Sequence, residues 1–403
     1  MANYTEIVQI IIPGLTIAND YVSKITLHNP TDLTATIDQS EIRFTAFANK
    51  QKIFITLTKD ILLPAMIVEV VTENLSVDIM SPIRFLYLSK LLACPSGSCK
   101  EEQITTTPVV PLGNVTMEMV TVGNPGNAVD GNTGFLYGAV AYSYQIGKYE
   151  VTGSQYAAFL NAIAKTDSTY GLYNTSMSTD TKVAQINRSG SSGAYMYSVM
   201  NSTGQRPITY VSWFDCARFC NWMSNGQPSG DQTITTTENG AYNLNGASTG
   251  SAIIVNAINP NTNLAPTFRI PTENEWYKAA YYTPNAGGPG VGGYWTYATQ
   301  SNATPGTTIS INPNQVNYNL ARDYLTDVGS FGGTKSFYGT FDQSGNVYEW
   351  NDLNGTVGQY RGWRGGVWNG YVEYLKSSYR FGSASPDVGT NNNVGFRIAS
   401  PFV

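Results

Sequence analysis

In the first 72 residues apolar and polar positions alternate in short runs. They are Ile7-Val8-Gln9-Ile10-Ile11, Lys24-Ile25-Thr26-Leu27, Glu41-Ile42-Arg43-Phe44-Thr45, Lys52-Ile53-Phe54-Ile55-Thr56-Leu57 and Met66-Ile67-Val68-Glu69-Val70-Val71. A period of two with turn signals between runs, such as Asn29-Pro30-Thr31-Asp32, predicts β-strands. Residues 1–103 are therefore expected to form a small all-β sandwich or barrel, serving attachment or oligomerisation. Further along, the period changes to that of helices. Thr152 precedes Tyr156, Phe159, Leu160 and Ile163 at helical spacing. Ser212-Trp-Phe-Asp215 is a capping box ahead of Cys216, Phe219, Cys220 and Met223. Thr272-Glu-Asn-Glu275 is another, ahead of Trp276, Ala279 and Ala280.

Glycine marks the boundary between two kinds of chain. Of 39 glycines only Gly14 and Gly97 lie before residue 104, whereas all seven tryptophans lie after it. Residues 104–112, rich in Thr, Val and Pro, read as a linker. From 113 to 403 long Gly/Asn/Ser/Thr stretches, such as Asn225 to Asn263, need a compact scaffold to carry them.

Net charge is −5, and Lys and Arg form no dense run. A nucleic-acid or anionic-membrane partner would need a basic patch, so neither is expected. No stretch of 18 apolar residues exists and no basic leader opens the chain, so membrane insertion and a signal peptide are not expected. The expected location is the cytoplasm or a virion. The single histidine, His28, excludes sites built on several imidazoles. Four cysteines are too few for a disulfide scaffold at this length. Cys94 and Cys99 read as reduced thiols in a loop. Cys216 and Cys220, one helical turn apart, read as small residues of an amphipathic stripe rather than ligands of a soft metal.

Four motifs then follow in order: Tyr144-Gln-Ile-Gly-Lys-Tyr-Glu-Val-Thr152, Pro207-Ile-Thr-Tyr-Val-Ser-Trp213, Phe268-Arg-Ile-Pro-Thr-Glu-Asn-Glu-Trp-Tyr-Lys-Ala-Ala280 and Tyr338-Gly-Thr-Phe-Asp-Gln-Ser-Gly-Asn-Val-Tyr-Glu-Trp350. The chain closes with Arg364-Gly-Gly-Val-Trp368 and Asn393-Val-Gly-Phe-Arg397. This set resembles the formylglycine-generating enzyme family, also called sulfatase-modifying-factor domains, over about residues 113–400. The resemblance implies an α+β fold, C-type-lectin-like and loop-rich with a small antiparallel sheet. The family's oxidases need a cysteine pair after the Arg-Gly-Gly motif, and residues Val367 to Phe381 contain none. A related iron-dependent branch needs clustered histidines, which one histidine cannot supply. The resemblance therefore favours a third branch, the variable proteins of diversity-generating retroelements, which display a ligand surface near the C-terminus.

In that region Arg364, Gly365, Gly366, Trp368, Leu375, Arg380, Gly395, Phe396 and Arg397 resemble a fixed framework. The expected ligand-binding residues are Trp368, Asn369, Gly370, Tyr371, Glu373, Tyr374, Tyr379, Phe381, Ser383, Ser385 and Asp387. Tyrosine offers large amphipathic contact area at low entropy cost, and Ser, Gly and Asn give adaptable hydrogen bonds, the composition of a paratope. Asp342-Gln-Ser-Gly-Asn-Val-Tyr-Glu349 spaces oxygen donors along a tight loop, which suits Ca²⁺. By resemblance the ligands are the side chains of Asp342 and Glu349 and the carbonyls of Gly345 and Val347, in a structural role. No organic cofactor is expected. The expectation is a non-catalytic binding or display protein, with phage receptor binding as one such role, a protein or glycan ligand and homo-oligomerisation through the N-terminal domain. Its rivals are an oxidase with an unrecognised site and a structural virion protein.

Overall fold

The computed structural model describes residues 115–401 apart from 132–136, 168, 250–252, 286–290, 354–359 and 388–390; before residue 115 it describes the backbone of six strands. The chain divides into two compact units, Met1–Thr106 and Thr107–Val403. Cys94, Cys99 and the expected linker lie outside the described residues.

In the first unit the strands are β1 (Glu6–Ile11), β2 (Val22–Asn29), β3 (Asp32–Thr36), β4 (Ile42–Ala46), β5 (Lys52–Leu57) and β6 (Ile67–Thr72). They pair antiparallel as two three-stranded sheets, β1-β5-β4 and β3-β2-β6. Asn29 of β2 pairs with Asp32 of β3; Pro30 and Thr31, the centre of the expected turn, lie outside the described residues.

The second unit starts with β7 (Met119–Val122), β8 (Tyr144–Gly147), α1 (Gly153–Ile163), the single turn α2 (Ser176–Thr179), β9 (Ile186–Ser189) and β10 (Met196–Val199). It continues with α3 (Trp213–Ser224), β11 (Tyr242–Asn243), β12 (Ile254–Val255), α4 (Glu273–Tyr281), β13 (Tyr282–Thr283) and β14 (Gly293–Tyr294). It ends with β15 (Tyr348–Asn351), β16 (Arg361–Arg364), β17 (Phe381–Ala384), β18 (Val394–Gly395) and β19 (Ala399–Ser400). Few helices, small sheets and much irregular chain make this an α+β, C-type-lectin-like fold.

All three long helices begin at the residues expected to cap them. Thr152, Ser212 and Thr272 each accept from the backbone N–H three residues on, while Gln155, Asp215 and Glu275 return the bond. Every residue of α3 is buried, so it is the central helix. Its Phe219 lies against Tyr156 and Phe159 of α1, its own Trp222 and Phe396 near the C-terminus. Cys216 and Cys220 are buried in the same cluster as small core residues, on a helix buried all round rather than along one stripe. The chain's end closes the domain on its beginning: β19 pairs with β8, Ala399 opposite Ile146.

The long Asn225–Asn263 stretch is held by side-chain amides. Asn221 of α3 donates to the carbonyls of Thr237 and Tyr242 and accepts from the Tyr242 amide. Asn225 donates to the carbonyls of Thr236 and Asn239. These bonds add to the two-residue pairing of β11 with β12 in satisfying the backbone of the stretch.

Candidate functional site

The C-terminal sheet has the order β17-β16-β15-β18. Glu349 pairs with Arg364 and Trp350 with Trp363 across β15 and β16, and Trp363 faces Phe381 of β17. Between β16 and β17 the chain makes the excursion 365–380, and its course is fixed from below by one carboxylate. Glu273, the first residue of α4, accepts from Arg364 Nε at 2.7 Å and from Arg380 Nε at 2.9 Å. Arg364 then donates Nη1 to the carbonyls of Ser377 and Tyr379 at 3.0 and 2.8 Å. The Tyr137 ring covers both guanidinium groups, and the Tyr277 ring covers that of Arg364. Arginine can do this because its planar fork serves a carboxylate and two carbonyls at once.

The excursion begins at Gly366, whose φ is +77°. A Cβ there would sit 2.6 Å from Leu375 Cδ2 and 3.0 Å from the Tyr374 backbone, so only glycine lets the two limbs close. Val367 and Trp368 then turn inward. Trp368 is 3% exposed and part of the main core, and Gly370 is buried in a tight turn, its amide bonded to the Val367 carbonyl. The expectation that Trp368 and Gly370 contact ligand is corrected on this point. The large indole gains more from the core than from the surface, and Gly370 is there because Val367 and Tyr374 leave no room for a Cβ.

The other residues divide by depth. Asn369, Tyr371, Glu373, Phe381, Ser385 and Asp387 are exposed, Tyr371 by 66% and Phe381 by 38%. Tyr374 and Tyr379 are half-buried and pack on the core with ring centroids 4.7 Å apart. Leu375 is fully buried in the single 3₁₀ turn Val372–Leu375 and anchors it. The side chain of Ser383 lies outside the described residues. Ser385 donates its hydroxyl to Asp387 Oδ1.

The exposed rings are the ends of a longer row. Tyr371 meets Tyr374 edge-on at 6.0 Å, and Tyr374 and Tyr379 each lie 6.4 Å from Tyr348. Tyr348 stacks on Trp363 at 6.2 Å, and Trp363 stacks on Phe381 at 4.9 Å. Reading of the sequence missed Tyr348, Trp363 and Glu273 as parts of this site. The paired framework arginines Arg364 and Arg380 were the available signal for Glu273, since two cations near one strand require an anion.

The loop expected to bind Ca²⁺, Asp342 to Glu349, lies beneath the display segment. Glu349 is fully buried, and both its oxygens are taken. Oε2 accepts from Arg397 Nε at 2.6 Å and Trp276 Nε1 at 2.7 Å, and Oε1 accepts from Arg397 Nη2 at 2.7 Å. In this arrangement Glu349 is paired with the Arg397 guanidinium, so a cation here would share that carboxylate with Arg397. Gly345 and Val347 are buried; at Gly345 φ is +93° and a Cβ would lie 2.4 Å from the Asn317 carbonyl oxygen, so glycine is required. Asn346 Oδ1 accepts from the Thr326 amide, and its carbonyl accepts from Trp368 N, so the loop supports the display segment directly. Asp342 accepts from the Gly329 amide at 2.6 Å, and burial pushes its carboxyl up to about 6. Burial and the charge of Asp342 push the neighbouring Glu150 carboxyl well up, and its Oε2 has no partner. Among the described residues no three His, Cys, Asp or Glu converge as a metal site.

The thiols of the domain are not exposed for redox work. Burial pushes both the Cys216 and Cys220 thiols up, which keeps them protonated and poorly nucleophilic. Among the described residues no helix is long and apolar enough to cross a membrane.

Comparison with known proteins places this architecture. No curated protein matches the chain. Among solved structures, Treponema denticola variable protein 1 is similar with 19% identity and a TM-score of 0.39, covering 70% of this chain and 95% of that one. PvdO from Pseudomonas aeruginosa is similar with 19% identity and a TM-score of 0.35, covering 71% of this chain and 92% of that one. The family model for the sulfatase-modifying factor enzyme 1-like domain matches residues 95–401. The chain belongs to the sulfatase-modifying factor enzyme 1-like domain family.

Proposed function

We propose that this domain is a non-catalytic display module that binds a protein or glycan through segment 369–387. One observation carries the reading. The segment's inward groups are locked by Glu273, Arg364 and Leu375, while Asn369, Tyr371, Glu373, Phe381, Ser385 and Asp387 face outward on that rigid base. Rigid aromatic anchors among small polar residues bind without paying the ordering cost of a loose loop. Side chains that make no framework bond can change without loss of fold. That is what a retroelement-diversified variable protein requires, and the all-β unit at the N-terminus then serves attachment, as in phage receptor binding. An adenine-rich near-copy of the segment beside a reverse transcriptase gene supports this branch, and the lack of both removes it.

Oxidase chemistry is the rival, since the family includes oxidases. It is disfavoured by the sequence between Val367 and Phe381, which holds no cysteine, and by the depth of Cys216 and Cys220. A structural cation belongs to the proposal in reduced form. Asp342 and the backbone carbonyls of the loop, with whatever share Glu349 can lend beside Arg397, would hold the Ca²⁺.

The test is a glycan and peptide array probed with the wild-type chain and with the double variant Tyr371→Ser, Phe381→Ser. The expected result is a wild-type signal that the double variant loses at an unchanged melting temperature. Equal signals from both proteins, or turnover of a cysteine peptide with copper, would overturn it.

A further inference from the structure

The start of α3 carries a carboxylate that the fold uses only by half. Asp215 is 7% exposed. Its Oδ2 accepts from the Ser212 amide and hydroxyl, both at 2.7 Å, whereas Oδ1 accepts no hydrogen bond. So deep a carboxylate oxygen without a donor is rare and points to something that completes it. Asp215 fronts a cleft of about 220 Å³ between the loop after α1, the start of α3 and Asp387.

The rest of the lining has the same sign. Asp387 stands at the exposed rim and accepts only from Ser385. Tyr210 donates its hydroxyl to Asp180, which sets a further carboxylate one side chain behind the wall. Lys182, two residues from Asp180, is paired with Asp323 instead. Arg218 is spent: Glu238 holds its Nε and Nη2 at 2.8 and 2.9 Å, and the Tyr170 ring lies 3.8 Å from it. What the cleft presents is therefore two carboxylates and the rings of Tyr170, Tyr210 and Phe214.

That lining narrows the ligand. An anion would be repelled, and a neutral ligand would leave the Asp215 charge unanswered at depth. A metal ion would gain nothing from the rings, and among the described residues no three His, Cys, Asp or Glu converge. An organic cation uses both features, through charge-assisted bonds to carboxylate and contact with ring faces. A guanidinium suits them better than an ammonium, because it is planar, stacks on rings and is weakly hydrated. The volume is below the roughly 300–1,000 Å³ of sites for drug-sized ligands, so one side chain fills it.

We propose that this cleft takes one arginine side chain of a partner protein, its guanidinium paired with Asp215 and stacked on the ring wall, with Asp387 adding charge at the rim. Asp387 belongs to the display segment as well, so the inference deepens the display reading and rests on it for the source of the arginine.

Saturation-transfer NMR on the full chain tests it, at about pH 8 so that Asp215 is ionised. The probes are N-acetyl-arginine amide and its uncharged near-isostere N-acetyl-citrulline amide. The arginine probe should bind with a Kd of about 0.1–10 mM, as expected for so few heavy atoms. The citrulline probe should bind at least about tenfold more weakly. Ser248→Lys, which sets a cation at the exposed rim, should weaken arginine binding at least about tenfold at unchanged melting temperature. Asp215→Asn should do the same, and Ser248→Lys decides alone if that variant fails to fold. No binding of the arginine probe well above that range overturns the proposal. Equal binding of the two probes does so too, as does binding that Ser248→Lys leaves unchanged. On the peptide array, bound sequences should carry arginine, and hits without it would overturn the choice of partner. Tyr371 and Phe381 do not line the cleft, so the array comparison can fail while the NMR experiment succeeds, and the reverse.

Discussion

Arg397 holds Glu349 through two parallel hydrogen bonds, Nε to Oε2 at 2.6 Å and Nη2 to Oε1 at 2.7 Å, with neither side chain exposed. Arg397 also donates to the carbonyls of Gly147 and Phe341, at 2.8 Å each. One guanidinium thus joins the last motif of the chain to β15, the end of β8 and the loop before Asp342. Arg397→Met strands the Glu349 charge in the interior and should cost about 3–5 kcal/mol. Pairing it with Glu349→Leu should recover part of that loss. Urea unfolding measures both, and a cost under about 1 kcal/mol for the single variant would contradict the assignment.

Depth within the display segment gives a second expectation. Tyr371→Ser touches an exposed ring and should change stability by no more than about 0.5 kcal/mol. Trp368→Ala, three residues away, removes a core indole and should cost about 3–5 kcal/mol. The same unfolding assay compares them, and similar costs would mean that the segment is not divided into base and face.

Asp215 gives a pH expectation. Burial is the main cause that pushes its carboxyl up to about 6, against 3.8 in a free side chain. The folded chain therefore holds this proton more tightly than the unfolded chain. Its contribution favours folding as pH falls through about 6, and the gain is complete once both states are protonated, below the unfolded value. Asp215→Asn removes the titration. The difference in unfolding free energy between wild type and variant should shift in favour of wild type by about 1–3 kcal/mol between about pH 7 and pH 4. A constant difference would show that Asp215 keeps an ordinary carboxyl.

The two described thiols offer a fourth check. Alkylation of native protein followed by peptide mass spectrometry should leave Cys216 and Cys220 unmodified, and both should react once the chain unfolds. Fast native labelling of either would reopen the oxidase reading.

Ca²⁺ added after chelation should raise the melting temperature through Asp342 and nearby carbonyls. An unchanged melting temperature and no heat of binding would remove the cation from the account.

Much of the scaffold was legible because local chemistry decides it. Thr152, Ser212 and Thr272 announce their helices through bonds within four residues, and the strand period before residue 73 needs no tertiary information. The lectin-like fold was legible only through the motif resemblance, because the Asn225–Asn263 stretch is ordered by amides such as Asn221 and Asn225 rather than by a period. The site was half legible. Composition marked 368–387 as unusual, but a Trp-Asn-Gly-Tyr run does not say which side chains turn inward. Gly366 and the core's demand for the Trp368 indole decide that. The partner of Glu349, Arg397, lies 48 positions away, beyond the reach of any local pattern.

The most direct measurement is binding by the display face itself. Take one array-identified protein or glycan, and compare its Kd for wild type and for Tyr371→Ser, Phe381→Ser by isothermal titration. Two anchors of this kind should account for a loss of at least about 100-fold at unchanged stability. An unchanged Kd would contradict the claim that this face is where the molecule meets its partner.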